Sequence, residues 1–163
     1  MPMRSSTFDE RDLRTGEGGH GVEYHGVVLV TALIENHRDV DAADEGRIPN
    51  SLVRRFEVND ARVDTGATYV SMPMRLINQL GLKRIKTVQA KTTARPVSFG
   101  IFEQVKLTIQ GRNCEVRVAE VADNCPVLIG CIPLKLLDFV FDTKNQQLIG
   151  NPDHGGEFMI DMY

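Results

Sequence analysis

The chain has 163 residues, the length of a single domain, and so leaves little sequence for a second full-sized domain. Its hydrophobic fraction of 42% and charged fraction of 25% are typical of a soluble globular domain, and its net charge of -3 lacks the broad positive field of most nucleic-acid-binding proteins. No apolar run approaches the roughly 18 residues that cross a bilayer, and no apolar segment follows the charges of the N-terminus, so we expect a cytoplasmic protein with neither a nucleic-acid nor a membrane partner.

The first third of the chain is predicted to contain a polar arm, two strands and a loop between the strands. Residues 1–25 mix charges and glycines with few apolar positions, a composition that predicts a mobile N-terminal arm. Residues 26–36 are apolar on both alternating faces, which predicts a strand enclosed in the core, and residues 56–63 alternate loosely as a second strand. The charged residues 37–55 between them include a glycine and a proline and are predicted to form a long exposed loop.

A short helix and further strands are predicted next. Residues 71–80 carry a proline suited to a first helical turn, and Gly81 follows where a C-terminal cap belongs. Strand patterns then occupy residues 97–101, 105–109 and 115–121. The polar residues 110–113 between the last two strands predict a hairpin turn.

The last part of the chain repeats the strand-to-helix pattern on a smaller scale. An apolar run at residues 126–130 ends in glycine, and residues 133–137 are predicted to form a second short helix. Two short strands, residues 139–142 and 147–149, are predicted to pair as a hairpin. The tail at residues 153–163 ends in apolar and aromatic side chains and is a candidate dimer contact. The many short strands predict an all-β, mainly antiparallel fold with one or two short helices.

Common signals for metals and cofactors are incomplete in this sequence. The string at residues 16–21 matches GxGxxG, but it follows a polar arm and leads into a strand, whereas a dinucleotide loop follows a strand and opens a helix. The acidic residues 39–44 lack the glycine and glutamate positions of a calcium loop, and the histidines have no ligand spacing. Cys114, Cys125 and Cys131 form neither an even set nor a CxxC pair, so we interpret them as small buried thiols in a reducing compartment. We expect no metal and no cofactor.

One tetrapeptide, Asp64-Thr65-Gly66-Ala67, lies where the second strand turns out of the core. A carboxylate at the end of a buried strand is partly desolvated and can meet a second carboxylate nearby. The hydroxyl of Thr65 can hydrogen-bond across a close approach, and Gly66 lets main-chain N–H groups come near the carboxylates. These are the requirements of a carboxylate pair that shares one proton and activates water.

The tetrapeptide in its setting resembles the retropepsin-like aspartic proteases, of the bacterial single-domain type, over about residues 26–152. In that family an Asp-Thr-Gly-Ala segment is followed by a short helix with Leu-Gly, a flap hairpin, and two apolar residues before a glycine with a helix behind it. This chain supplies Leu80-Gly81, then Leu128-Ile129-Gly130 followed by the predicted helix. The resemblance implies a closed, mostly antiparallel β-barrel that acts as a homodimer, with one Asp-Thr-Gly from each subunit.

The resemblance also implies a role for each residue of the motif. Asp64 matches the catalytic aspartate, Thr65 matches the residue that hydrogen-bonds across the two-fold axis, and Gly66 matches the glycine whose main chain lies against the carboxylates. The flap falls near residues 90–102, and its tip lacks the usual glycine; the tip residues are Thr93, Ala94, Arg95 and Pro96. Asp142-Thr143 is not a second motif, because a lysine replaces the glycine.

The function that the resemblance implies is an aspartic endopeptidase that cleaves peptide or protein substrates without a metal or cofactor. The alternative is a catalytically inactive retropepsin-like module that dimerises or binds peptides. The complete Asp64-Thr65-Gly66 favours the enzyme, because an inactive module has no need for a buried pair of carboxylates that repel each other.

Overall fold

The computed structural model describes residues 27–91 and 93–159. The predicted arm at residues 1–25 and the last four residues of the predicted tail lie outside the described residues. Within the described part, strands predominate and the helices are short, so the predicted mostly β fold is confirmed. The helices are α1 (His37–Asp44), α2 (Met74–Leu80) and α3 (Cys131–Leu136).

The strands form one large sheet and one separate hairpin. Their bounds are β1 (Leu29–Asn36), β2 (Arg55–Val63), β3 (Val70–Pro73), β4 (Arg84–Ala90), β5 (Val97–Ile109), β6 (Arg112–Val121), β7 (Leu128–Ile129), β8 (Phe139–Asp142) and β9 (Gln147–Gly150). In the described residues the sheet order is β1-β2-β7-β3-β6-β5-β4, and β8 pairs with β9. β1 also pairs with β5 through residues 33–36, so the sheet closes on itself and leaves β4 as an edge strand. The pairs are mainly antiparallel, with parallel pairing of β2 with β7 and of β3 with β6.

The core is one cluster of buried apolar side chains that joins the strands to α2 and α3. Its fully buried members include Ile34, Met72, Ile77, Leu107 and Ile129. These side chains come from β1, β3, α2, β5 and β7, so the closed sheet and its helices share a single apolar interior.

The prediction of three buried thiols is correct only for Cys114. This side chain is buried, and desolvation raises its pKa to about 12. Cys125 is half-buried, and Cys131 is exposed at the start of α3, where its side chain turns away from the core.

The two predicted short helices are confirmed as α2 and α3, and the predicted hairpins close as expected. Gly81 ends α2 in the left-handed region with φ of 67°, which a glycine adopts without strain. Gln110 and Gly111 both have positive φ in the turn between β5 and β6, the geometry of a tight hairpin turn.

The prediction of a long exposed loop at residues 37–55 is wrong, because α1 occupies its first half. The Asn36 side chain accepts a hydrogen bond from the main-chain N–H of Asp39 at 3.0 Å and so caps the helix. Its amide also donates to the carbonyl oxygen of Leu80 at 2.8 Å, which ties α1 to the end of α2. The sequence did not predict this cap, because Asn36 is the last residue of an apolar strand and a strongly charged segment follows it.

Asp39 is buried and paired, contrary to the exposed acidic stretch that its sequence suggests. Its carboxylate accepts from Arg54 through the main-chain N–H at 3.0 Å, Nε at 2.8 Å and Nη2 at 3.0 Å. The side-chain hydrogen bond from Arg54 holds the pKa of Asp39 below its usual range, against the opposing effect of burial. A similar pair links Arg38 to Glu103, whose pKa is lowered chiefly by the Arg38 hydrogen bond.

Three strands differ from the prediction. β4 has no predicted counterpart, because it is an edge strand whose side chains are nearly all exposed and whose apolar residues have no regular spacing. β5 runs continuously where two strands are predicted, with a shift of register between Phe102 and Val105. Residues 71–73 belong to the fully buried strand β3 instead of the first turn of α2, since Pro73 keeps an extended backbone.

We predict that Asn36→Ala lowers the free energy of unfolding by about 2 kcal/mol, because it removes the cap of α1 and leaves the Leu80 carbonyl without its donor. Urea unfolding measures the change. Asn59 is exposed on β2, so Asn59→Ala is the matched control and should change stability by less than about 0.5 kcal/mol. Equal effects of the two substitutions would contradict this account of α1.

The Asp39 and Glu103 pairs predict an acid-labile fold. A carboxylate whose pKa is lowered on folding stabilises the protein above its unfolded value of about 4, and this contribution is lost as the pH falls through the folded pKa. We expect Asp39→Asn to cost about 2 kcal/mol at neutral pH and to flatten the fall in stability below about pH 4. Urea unfolding at a series of pH values tests this. Asp44→Asn, at an exposed position on the same helix, should leave the pH dependence unchanged.

Candidate active site

Asp64 begins a tight turn at the end of β2, and both its main chain and its carboxylate are held in place. Its main-chain N–H donates to the carbonyl oxygen of Ile129 at 2.9 Å, and its own carbonyl accepts from the N–H of Ala67 at 3.0 Å. The main-chain N–H of Gly66 donates to Asp64 Oδ1 at 2.9 Å. The carboxylate is therefore half-buried and oriented by the turn that follows it.

The second predicted motif, Leu128-Ile129-Gly130, lies directly against this turn. β7 is inserted between β2 and β3, so that Ile129 is opposite Val63 on one side and Val70 on the other. Beyond β7, the N–H of Gly130 donates to the Tyr69 carbonyl at 2.9 Å. The structure thus brings together two segments that lie more than sixty positions apart in the sequence.

The start of α3 continues the contact with the turn. The N–H of Cys131 donates to the Ala67 carbonyl at 2.9 Å, and the N–H of Ile132 donates to the Thr68 carbonyl at 3.1 Å. N–H groups in the first turn of a helix have no partner within the helix, so the Asp64 turn supplies acceptors that α3 needs. The turn and α3 therefore stabilise each other.

Gly130 is required by the closeness of the two main chains. A Cβ atom at this position would lie 2.5 Å from the Tyr69 carbonyl oxygen and 2.7 Å from that of Ala67. Its φ of -86° is an ordinary value for any residue, so contact with the backbone, and not its own conformation, is the constraint. At Gly66 a Cβ would lie 3.3 Å from Asp64 Oδ1, a tight approach to the carboxylate itself.

Thr65 is exposed at the outer end of the turn. It lines a small cavity of about 350 Å³ together with α3 and β8, including Cys131, Lys135 and Phe139. The Asp64 turn therefore has two faces, one towards this cavity and one towards a larger groove.

A groove of about 710 Å³ begins at the turn and is lined mainly by apolar side chains. Residues 66–69 of the turn form one wall, and the hairpin of β4 and β5 forms the opposite wall through Val88 and Phe99. The floor is a row of neighbouring positions on adjacent strands: Leu128, Ser71, Ala119 and Ile101. The floor of the groove therefore crosses four adjacent strands, a span that can accommodate an extended chain.

The predicted flap residues lie in the loop that joins β4 to β5. Thr93, Ala94, Arg95 and Pro96 are exposed at the tip of this hairpin, beyond the last paired residues, Ala90 and Val97. They do not line the groove, whose hairpin wall is formed by the strands behind the tip. Sequence reasoning missed Lys86 and Val88 as groove residues because it did not predict β4. The apolar residues of this strand, at positions 85, 88 and 90, do not alternate regularly with the polar ones.

No group of three or more histidine, cysteine, aspartate or glutamate side chains in residues 27–91 and 93–159 is arranged to hold a metal ion. In the same residues, no helix is long and apolar enough to cross a membrane.

No protein-family model matches the chain, and no curated protein matches it. Among solved structures, the solution structure of the simian foamy virus (mac) protease is similar to it. The two chains are 19% identical with a TM-score of 0.42, and the match covers 67% of this chain and 93% of the viral protease.

We predict that Gly130→Ala destabilises the fold by about 3 kcal/mol, because the added methyl group meets main-chain carbonyls that have no room to move. Urea unfolding measures the loss. Gly46→Ala is the control, since Gly46 has φ of 76° and open space around its Cβ position, so that only about 1 kcal/mol of backbone strain is expected. A cost at Gly130 no larger than at Gly46 would contradict the close packing.

Proposed function

We propose that the protein is an aspartic endopeptidase in which Asp64 and its copy in a second subunit activate water to cleave a peptide bond. The observation that carries the proposal is the Asp64 turn, which is fixed against Gly130 and whose residues 66–69 line an apolar groove together with the β4–β5 hairpin. The resemblance of the two sequence motifs to the retropepsin-like proteases supports the same assignment.

In the proposed reaction the two carboxylates share one proton, because like charges at close range are not both ionised. The ionised carboxylate takes a proton from water, and the resulting hydroxide attacks the carbonyl carbon of the scissile bond. The protonated carboxyl gives its proton to the carbonyl oxygen, which forms a tetrahedral intermediate. The carboxyl that took the proton from water then protonates the amide nitrogen, the C–N bond breaks and the amine leaves, while the intermediate's hydroxyl returns its proton to the pair. The Gly66 N–H bond to Oδ1 fixes the plane of the Asp64 carboxylate for this exchange.

The second carboxylate has to come from another chain. The sequence contains a single Asp-Thr-Gly. Asp142, in the similar Asp-Thr-Lys segment, uses its carboxylate to accept from the main-chain N–H groups of Lys144 and Asn145 and from the Asn145 amide, as a hairpin-turn residue does. A two-fold contact in which Asp64 approaches its own copy supplies the pair.

The exposed face of α3 is the proposed centre of this two-fold contact. Ile132 and Leu136 are 38% and 40% exposed, and their spacing of four residues places them on the same side of the helix. The Ile132 N–H bond to Thr68 holds this face beside the Asp64 turn. Phe158 and Met159 of the predicted tail contact are also exposed and extend the apolar surface available to a second subunit.

We predict that Asp64→Asn reduces peptide cleavage by at least about a hundredfold, because asparagine cannot accept the proton of water. The fold should be retained, because asparagine has nearly the same shape as the half-buried aspartate that it replaces. The assay incubates the wild-type chain with a diverse peptide library, with and without a statine-type transition-state analogue. Turnover that the analogue blocks is the expected result.

Asp60→Asn is the matched control, since Asp60 is exposed on the same strand and should be dispensable. Excess Asp64→Asn chain mixed with wild type should also suppress activity through mixed dimers. Full cleavage by the Asp64→Asn chain contradicts the proposal. Peptide binding without any turnover by the wild-type chain identifies the inactive binding module instead.

We predict that Ile132→Glu weakens the dimer by at least about tenfold, because a two-fold contact places the new charge against its own copy. Sedimentation equilibrium measures the dissociation constant, and specific activity should fall in parallel on dilution.

Leu52→Glu is the control, because Leu52 is 61% exposed on a short helical turn outside α3. It should leave association unchanged. A wild-type chain that cleaves peptides at full rate as a monomer rules out the two-fold site.

A further inference from the structure

The groove has a charged end that the proposed chemistry does not use. Lys86 lies on β4 opposite Ile101, in the same row of neighbouring positions that forms the groove floor. Because side chains alternate along a strand, Lys86 and Val88 both face the groove while Thr87 between them does not. A lysine therefore ends an otherwise mainly apolar surface.

The charges around Lys86 leave it without a counter-ion. Among the described residues, no carboxylate lies within ion-pair distance of Lys86. Glu120 also lines the groove, but its Oε1 accepts from the main-chain N–H of Gly100 at 3.2 Å and lies 3.9 Å from Arg84 Nη2. Of the two charged residues that line the groove in the described part of the chain, Glu120 is engaged by Gly100 and Arg84, so the charge of Lys86 has no carboxylate partner.

We propose that Lys86 is a specificity residue that selects an acidic side chain on the extended peptide bound in the groove. The inference rests on the peptide groove of the proposed function, and it adds the charge that a preferred peptide carries. Apolar side chains of the peptide contact Val88, Phe99 and Leu128, while a glutamate or aspartate pairs with the Lys86 ammonium group.

The sheet limits how far this acidic residue lies from the scissile bond. Lys86 on β4 is separated from Asp64, at the end of β2, by five strand spacings, which amount to at most about 24 Å. An extended peptide advances about 3.3 Å per residue, so the acidic side chain lies within about seven residues of the bond at Asp64.

The test measures binding, so that it does not depend on turnover. Fluorescein-labelled peptides of about fourteen residues carry an apolar central pair and one glutamate, moved a position at a time, or the uncharged glutamine in its place. The Asp64→Asn chain binds them without cleavage. We expect about a two- to fivefold tighter binding of glutamate over glutamine at one position, reduced by added salt.

The variants assign the preference to Lys86. In the Asp64→Asn background, Lys86→Glu should reverse the preference at that position, and Lys86→Gln should abolish it. Lys144→Glu makes the same change of net charge in the β8–β9 turn, away from the groove, and should preserve the preference.

Three outcomes overturn the inference: binding with no glutamate preference at any position, a preference that Lys86→Glu leaves intact, and no binding of any peptide. Selective binding by the Asp64→Asn chain, together with no cleavage by the wild-type chain, overturns the endopeptidase proposal alone.

Discussion

The main-chain contact between the Asp64 turn and the segment after β7 determines the rest of the arrangement. Asp64 and Gly130 each donate to a carbonyl of the other segment, and the approach is too close for any Cβ at Gly130. This contact fixes where β7 enters the sheet, between a parallel and an antiparallel neighbour. It also holds the first turn of α3 against the Asp64 turn, so that Leu134 enters the core while Ile132 stays exposed beside the turn. One backbone contact thus positions the turn, the groove floor and the proposed dimer surface together.

The opposite wall of the groove is less constrained. β4 is an edge strand, and the tip of its hairpin carries no paired strand residues. Few buried apolar contacts hold such a segment, so it opens more easily than the core strands. A wall of this kind suits the proposed function, in which an extended peptide enters before the hairpin closes over it.

The sequence predicted the parts of the site whose residues have few structural alternatives. Each of these parts combines a glycine or proline that the backbone requires with apolar residues beside it: Asp64-Thr65-Gly66, Leu128-Ile129-Gly130 and the two short helices.

Sequence-based prediction failed at α1 and β4. α1 depends on the cap at Asn36, whose side-chain amide is held by the carbonyl oxygen of Leu80 in a distant segment. Asp39 looks like a surface carboxylate in the sequence, and only its ion pair with Arg54 explains why it is buried. β4 is exposed and its apolar residues have no regular spacing, so no hydrophobic period marks it. The partners that decide α1 come from other segments, whereas β4 pairs with the next strand, β5.

The C-terminal segment is tied to the same region as the proposed dimer surface. Arg112 donates to the carbonyl oxygens of Leu137 and Gly156, and its guanidinium group lies over the rings of Phe139 and Phe158. Main-chain carbonyls and aromatic ring faces stabilise the positive charge of Arg112, so its guanidinium group needs no carboxylate partner.

Asp138 completes this attachment from the other side. Its carboxylate accepts from the Met159 main-chain N–H at 3.1 Å and lies 2.7 Å from His154 Nδ1. The segment that follows β9 is therefore held at the junction of α3 and β8, where Leu136 is exposed one residue before the Arg112 contacts begin. The same contacts of Arg112 therefore orient both the C-terminal segment and the end of α3. A substitution at Arg112 would displace both of the surfaces that a second subunit is proposed to contact.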